Sequence, residues 1–266
     1  MYIIGELING MYVSVASALR ERNKDFIKSL ARRQVEAGAD ALDVNCGPAS
    51  RDPASDMRWL VESVQEEVSV TLSLDSTKTA AIEEGLKAAR HKTIINSTSA
   101  DQERLEILVP LAKKYNASLV GLTMDKMGVP QDKDRRVELA VEILSFAQAH
   151  DFSANELYLD PILLPINVAQ NQLSAILEAI RDFKLLSTPA PKTVIGLSNI
   201  SQGAKERKLV NRTFMVMAQG YGLDAAILDP LDRALMESLV TSEVILNKAI
   251  YCDSYVEAYR KSKKAA

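Results

Sequence analysis

The chain has 266 residues, of which 47% are hydrophobic, enough to bury one sizeable core and within the ordinary length of a single α/β barrel. A formal net charge of -3 leaves no basic surface able to track a phosphate backbone, so nucleic acid is set aside as a partner. Cys46 and Cys252 stand far apart in no CxxC arrangement, which excludes a disulfide framework or a thiolate metal site and fits a reducing compartment.

Short apolar runs ending on a polar residue recur in chain order, each followed by apolar residues at helical spacing. Tyr2 to Asn9 (YIIGELIN) opens the series. The chain start lacks the basic region and apolar stretch of an export signal, and no later run approaches about 18 apolar residues, so a cytoplasmic chain that spans no membrane is expected. Ala41 to Asn45 (ALDVN) is the second strand. After it, Asp52 and Pro53 cap a helix that carries Met57, Leu60, Val61, Val64 and Val68 on one face. Val70 to Asp75 (VTLSLD) and Thr93 to Ser97 (TIINS) follow, with Asp101 introducing a helix that bears Leu105, Leu108 and Val109. Ser118 to Thr123 (SLVGLT) leads to a helix with Val137, Val141 and Leu144 in register. Leu157 to Asp160 (LYLD) leads to one with Leu173, Ile176, Leu177 and Ile180. Thr193 to Asn199 (TVIGLSN) and Ala225 to Asp229 (AAILD) complete the strands. A helical stretch from Leu231 to Tyr259, with Leu235, Leu239 and Ile245, ends in the basic tail KSKKAA, read as solvated.

Strands alternating with helices require a parallel sheet, because parallel neighbours need a crossover and a helix fills it. Eight such units predict a TIM (β/α)8 barrel. A doubly wound open sheet would carry a GxGxxG turn after its first strand, and none is present. No linker of Pro, Gly or Ser divides the chain, so residues 1–266 are expected to form a single domain.

In such a barrel the site lies at the C-terminal strand ends. Those ends carry Glu6, Asn9, Asp43, Asn45, Asp75, Asn96, Asp160, Ser198, Asn199 and Asp229. Each could simply cap the next helix, yet eight strands converging on one mouth would pool them in one concave site. A Schiff-base site would need a lysine at a strand end, whereas Lys78, Lys126 and Lys192 are placed in loops or before a strand. His91 and His150 read as ordinary helix-end residues towards the barrel bottom. Asp43, Asp75 and Asp160 are hard oxygen donors and leave a divalent metal open, while Asn96 and Asn199 fit a neutral heterocycle better. A ring with several N–H donors and a carbonyl needs carboxylates to accept and carboxamides to do both. A reduced pterin is such a ring.

The stretches IIGELINGM, ARRQVEAGADALDVNCGPA, LSLDSTK, INSTSA, GLTMDKMGVP, LYLDPILLP, PAPKTVIGLSNISQGAKERKLVNRTF and YCDSY run through the whole chain. Together they resemble the methyltetrahydrofolate:corrinoid/iron-sulfur protein methyltransferases, whose barrel is of the pterin-binding type. The resemblance implies a pterin held by Asp75, Asn96 and Asp160, with Asn199 near N5. It implies that Gly196, Ser198, Gln202 and Arg207 surround the folate or its p-aminobenzoate extension, with Met124 as a wall and Glu6, Asp43 and Asn45 in support. Tetrahydrofolate or 5-methyltetrahydrofolate would be the substrate, with no bound metal, in an anaerobic one-carbon metabolism. The chain lacks the D-x-H-x-x-G box of a cobalamin domain, so the corrinoid is expected on a separate protein docking at the mouth, where the GVPQDKDRR stretch is a candidate rim. The family likeness further implies a homodimer.

If Co(I) attacks the N5-methyl carbon, the departing amine needs a donor at N5. Asn199 can donate a hydrogen bond but not a proton, so its expected role is electrostatic, with solvent the proton source. Methyl could move from folate to corrinoid, as in the acetyl-CoA route, or from corrinoid to folate, as in demethylation. The rival readings are a non-catalytic folate-binding subunit and an enzyme like dihydropteroate synthase. The latter typically has an N-V-T-P-D-S-F loop, where this chain has Leu7, Ile8, Asn9, Gly10 and Met11.

Overall fold

The structure is a computed structural model and describes residues 1–259. Strands β1 (Tyr2–Asn9), β2 (Ala41–Asn45), β3 (Thr71–Asp75), β4 (Thr93–Ser99), β5 (Ser118–Leu122), β6 (Leu157–Asp160), β7 (Lys192–Gly196) and β8 (Ala225–Leu228) pair in sequence order into a closed parallel barrel. Closure comes from β1 on β8, with Tyr2 to Gly5 opposite Ala225 to Leu228. The expected (β/α)8 architecture is therefore the observed one.

The helices between them are α1 (Val13–Glu21), α2 (Lys24–Glu36), α3 (Pro53–Gln65), α4 (Thr79–Ala88), α5 (Gln102–Lys114), α6 (Lys133–Ala149), α7 (Ile166–Ala169), α8 (Leu173–Phe183), α9 (Arg207–Gly220) and α10 (Arg233–Ile245). Helix α3 starts as its sequence dictates: Asp52 Oδ1 accepts from the Ser55 N–H at 3.1 Å and Pro53 occupies the first turn. Such a cap contributes about 1 kcal/mol. Met57, Leu60, Val61 and Val64 then face the barrel wall, fully buried. Ile176, Ile180 and Phe183 do the same on α8, where truncation of one to alanine costs about 2–5 kcal/mol.

Side chains alternate between the two faces of a strand, and the barrel sorts them accordingly. One face joins the helices in a large core. The other builds a separate interior cluster of Ile4, Ala41, Ile94, Val120, Tyr158, Val194 and Ala225. Two residues further along these strands, on the same interior face, come Glu6, Asp43, Asn96, Leu122, Asp160, Gly196 and Ile227. The apolar plug thus gives way to a polar layer within one step of the pleat. At the opposite, N-terminal end, a cavity of about 410 Å³ is lined by Tyr2, Thr71, Tyr158 and Lys192. His91 and His150 also lie towards that end, His150 stacked on Phe146 with ring centroids 4.2 Å apart.

Four local expectations are corrected. Strand β7 ends at Gly196 and not at Asn199, because Leu197–Asn199 tighten into a 3-10 turn. The C-terminal helix does not run from Leu231 to Tyr259. Asn247, at φ 56°, ends α10 with paired bonds from Lys248 N to Glu243 O and from Asn247 N to Val244 O, a Schellman closure. On α6 the buried face carries Arg136, Leu139, Ala140, Ile143 and Leu144, and Val141 is exposed. Lys133 to Arg136 of the GVPQDKDRR stretch belong to that helix, which leaves only residues 128–132 in the loop. The KSKKAA tail lies outside the described residues. Among those described, no helix is long and apolar enough to cross a membrane.

Candidate active site

The polar layer is organised around three carboxylates and the side chains bonded to them. Asp43, buried on β2, accepts from Ser73 Oγ at 2.7 Å and from Asn96 Nδ2 at 3.1 Å through the same Oδ1. Asp75, ending β3, accepts from Asn45 Nδ2 at 2.6 Å, while Asn45 Oδ1 accepts from the Gly47 N–H at 2.6 Å. Glu6 on β1 accepts from Ser198 Oγ at 2.7 Å. Register explains the proximity, since Asp75 stands opposite Asn96 across β3 and β4, and Asp43 opposite Ser73 across β2 and β3.

Asp160 ends β6 in a different setting. Its Oδ1 accepts from the Ile162 N–H at 2.7 Å across Pro161. Ile162 has φ 63°, a left-handed conformation that a β-branched residue enters at a cost of about 1–2 kcal/mol. Asp160 Oδ2 makes no bond to protein among the described residues.

Burial without ion pairing sets the electrostatics. None of Glu6, Asp43, Asp75, Asp160 and Asp229 forms an ion pair among the described residues. Burial lifts Glu6 to about 7, with the Ser198 hydroxyl pulling it back and the Asp229 charge pushing further. Burial likewise lifts Asp160 to about 7. Asp43 is raised well above the carboxylate range by burial and the neighbouring Asp75 charge, against the Ser73 and Asn96 bonds. Burial also raises Asp75 and Asp229. Such a mouth favours a ligand that brings N–H donors and accepts few bonds.

The remaining expected residues border this layer. Asn199 is exposed in the turn after β7, but its carboxamide folds back so that Nδ2 lies 3.0 Å from where a Cβ on Gly196 would stand. Gly196 itself faces the interior, so the amide borders the mouth. Gln202 and Arg207 are exposed and join none of these carboxylate bonds. Arg207 Nε donates to Ser201 Oγ at 3.2 Å, which donates to Ser198 O at 3.3 Å. Met124 is half-buried just beyond β5, its carbonyl accepting from the Ala100 N–H. A cavity of about 340 Å³ reaches Asp75 and Asn45 and is also lined by Met11, Cys46, Thr77 and Lys78. Burial raises the Cys46 thiol to about 12, so it is inert as a nucleophile. Among the described residues no group of three or more His, Cys, Asp or Glu side chains is arranged to hold a metal ion.

Two residues escape the sequence reading. Ser73 could have been found, since it stands two residues before Asp75 on the same interior face. Arg136 could not: nothing in KDRRVE distinguishes it from its neighbour Arg135, which is only half-buried and paired with Asp125 at 2.7 Å. Arg136 is fully buried.

The chain matches the pterin binding enzyme family over residues 8–229. It is 30% identical over 268 residues to a methylcorrinoid:tetrahydrofolate methyltransferase of Eubacterium limosum, covering 99% of this chain and 97% of that protein. It is 28% identical over 218 residues to the methionine synthase of Mycobacterium tuberculosis, matching 77% of this chain but 18% of that longer one. Among solved structures, a dihydropteroate synthase of Coxiella burnetii in complex with pteroic acid superposes with a TM-score of 0.68 at 12% identity, covering 93% of this chain and 94% of that one. The dihydropteroate synthase of Yersinia pestis gives 0.67 at 19%, covering 92% and 93%. At such identities the likeness shows a shared fold alone.

Proposed function

The chain belongs to the pterin-binding enzymes and, within them, to the folate–corrinoid methyltransferases; from that premise we propose that its barrel mouth moves a methyl group between N5 of tetrahydrofolate and the cobalt of a corrinoid carried by a separate protein. The observation that carries this reading is the interior layer of Asp75, Asn96 and Asp160, carboxylates and a carboxamide at neighbouring strand ends with no cation among them. The aminopyrimidone edge of a pterin offers adjacent N–H donors for the carboxylates and a mixed edge for Asn96. Glu6, Asp43 and Asn45 hold that layer in place through their bonds to Ser198, Ser73, Asn96 and Asp75.

With the pterin edge on those three residues, N5 faces the turn after β7. Asn199 Nδ2 donates to N5 as its lone pair develops on departure of the methyl group, a bond that strengthens along the reaction. Solvent supplies the proton. Gly196 leaves room for the amide, while Ser198, Gln202, Arg207 and Met124 border the folate and its p-aminobenzoate extension. No resident metal is required, because the carboxylates nearest the ring serve as acceptors and Asp43 is already engaged twice. Methyl transfer is reversible on this chemistry, and the partner fixes whether folate gives or receives the methyl group.

The corrinoid protein docks where cobalt can reach N5, over the loops at the C-terminal strand ends. Met11 and Met127 expose apolar surface in these loops, as do Val13 at the start of α1 and Val168 in α7. A homodimer would use a different face. Ile245, Leu246, Ile250 and Tyr251 expose apolar surface at and beyond the end of α10, whereas Leu235 and Leu239 are consumed by the core and cannot contribute. The setting is cytoplasmic, in an anaerobic one-carbon metabolism. The family relatives that move methyl groups between folate and corrinoid favour catalysis over simple folate storage. Calorimetric titration with 5-methyltetrahydrofolate under anoxic conditions tests the site: saturable one-site binding is expected, and no uptake would refute the pterin assignment. Incubation with a dihydropterin pyrophosphate and p-aminobenzoate is expected to yield no dihydropteroate.

A further inference from the structure

We propose that Arg136 is a positioning residue for Asp160, acting through the backbone of the turn that follows β6. The inference rests on the folate reading of the site and adds to it a residue that touches no ligand.

The Arg136 guanidinium is fully buried yet meets no carboxylate. Its Nε donates to Pro161 O at 2.9 Å, Nη2 to Gln172 Oε1 at 2.9 Å and Nη1 to Asp132 O at 3.0 Å. Burying a cation against neutral acceptors is costly, and an apolar side chain of similar volume is often tolerated as well or better. What the guanidinium supplies is geometry: a rigid planar fork that an apolar residue cannot replace.

The fork grips the residue next to Asp160. Pro161 O and the Ile162 N–H belong to one peptide plane, so the donor on that carbonyl also fixes the N–H that Asp160 Oδ1 accepts at 2.7 Å, with Ile162 beyond it at φ 63°. A β-branched residue keeps that conformation when its surroundings over-determine it. Two elements do so here. Arg136 reaches in from the first turn of α6, and Gln172, just before α8, locks the far side of the guanidinium. The outcome is a carboxylate with one oxygen fixed by a backbone N–H and Oδ2 left for a ligand. Without the fork, the Pro161 carbonyl is released, the Pro161–Ile162 peptide plane is free to rotate, and Asp160 loses the bond that orients it.

A positioning role of this kind is separable from a general contribution to folding. The experiment compares Arg136→Met, Arg136→Lys, Asp160→Asn and the Arg136→Met/Asp160→Asn double variant. Each is titrated with 5-methyltetrahydrofolate by calorimetry and assayed for methyl transfer to free reduced cobalamin. Arg136→Met is expected to raise KM for the folate about tenfold while kcat at saturation changes less than about threefold. Arg136→Lys keeps the charge without the fork and falls between. In the Asp160→Asn background, Arg136→Met is expected to add less than about twofold, since its effect passes through the carboxylate already lost.

Losses that multiply in the double variant, or a parallel fall in kcat, would overturn the role. If Arg136→Met does not fold, Arg136→Lys takes its place in the same cycle, and multiplying losses there overturn the role equally. If the unaltered protein binds no methyltetrahydrofolate, the folate reading falls and this inference with it. If it binds and the losses multiply, Arg136 alone is refuted.

Discussion

The side-chain nitrogen of Asn199 lies 3.0 Å from the point where a Cβ on Gly196 would stand, so the last residue of β7 has to be small for the carboxamide to fold back over the strand end. Asn199→Ala removes the proposed donor at N5 and is expected to slow methyl transfer about 100- to 1,000-fold, or about 2.7–4 kcal/mol, as for other donors aimed at developing charge. Folate affinity should change less than about threefold. Gly196→Ala should act in the same direction and less strongly, because the carboxamide need yield only a few tenths of an ångström. Single-turnover kinetics beside calorimetry separates rate from binding, and equal losses in both would reject the role.

Asp75 and Asp160 are the proposed acceptors for the pterin edge. Replacing either by Asn exchanges a charged acceptor for a neutral group and should weaken methyltetrahydrofolate binding by about 1.5–3 kcal/mol. For Asp75 the loss includes the bond from Asn45 Nδ2 at 2.6 Å, which a carboxamide accepts less strongly. Unchanged affinity on titration would sink the assignment.

The same carboxylates give the free protein a pH signature. Asp160 and Glu6 are raised to about 7 in the fold, from ordinary values of 3.8 and 4.5. The folded chain therefore holds protons that the unfolded chain has released. The contribution of these two groups to stability is full below about pH 4, falls as the pH climbs to about 7, and levels off above that, each group losing about 1.4 kcal/mol for every pH unit between its unfolded and folded values. Asp160→Asn should flatten the slope and make the free protein more stable at pH 8, by up to about 4 kcal/mol. Urea melts at pH 5, 6, 7 and 8 read this directly, and a slope unaltered by Asp160→Asn would contradict the burial of a carboxyl group there.

In the proposed docking mode the corrinoid protein meets the apolar rim. Val13 is 83% exposed in the first turn of α1, and Met127 is 94% exposed in the loop after β5. Val13→Asp and Met127→Glu should lower kcat/KM about tenfold with a protein-borne corrinoid, the effect of losing about 1.4 kcal/mol of binding. Transfer to free cobalamin should be unaffected. Equal losses with both acceptors would move the docking surface elsewhere.

Most of the barrel is legible in the sequence because its signals are local. Each strand is a short apolar run closed by a polar residue, and β1, β2 and β6 coincide with those runs at both ends. Period-two alternation also marks Asp43, Asn96 and Asp160 as interior. The pattern fails where geometry overrides it. Val194 and Ile195 continue into Leu197 without a break in hydrophobicity, so nothing announces the 3-10 turn that carries Asn199. Asn247 is a recognisable left-handed terminator, but helical spacing on both sides of it hides the break. Val141 fits the periodicity of α6 and is exposed, because Arg136 takes part of the inner face. A buried arginine whose partners are the carbonyls of Asp132 and Pro161 leaves no trace in a single sequence.

Methyl transfer itself is tested most directly by mixing the protein with 5-methyltetrahydrofolate and a chemically reduced corrinoid, free or protein-borne, under anoxic conditions while following the corrinoid spectrum. Loss of the Co(I) absorption with growth of the methyl-Co(III) spectrum, at a rate proportional to the protein and slowed at least about 100-fold by Asn199→Ala, is the expected result. Folate bound in the barrel with no conversion in either direction, whichever corrinoid is supplied, would contradict catalysis and leave a binding protein in its place.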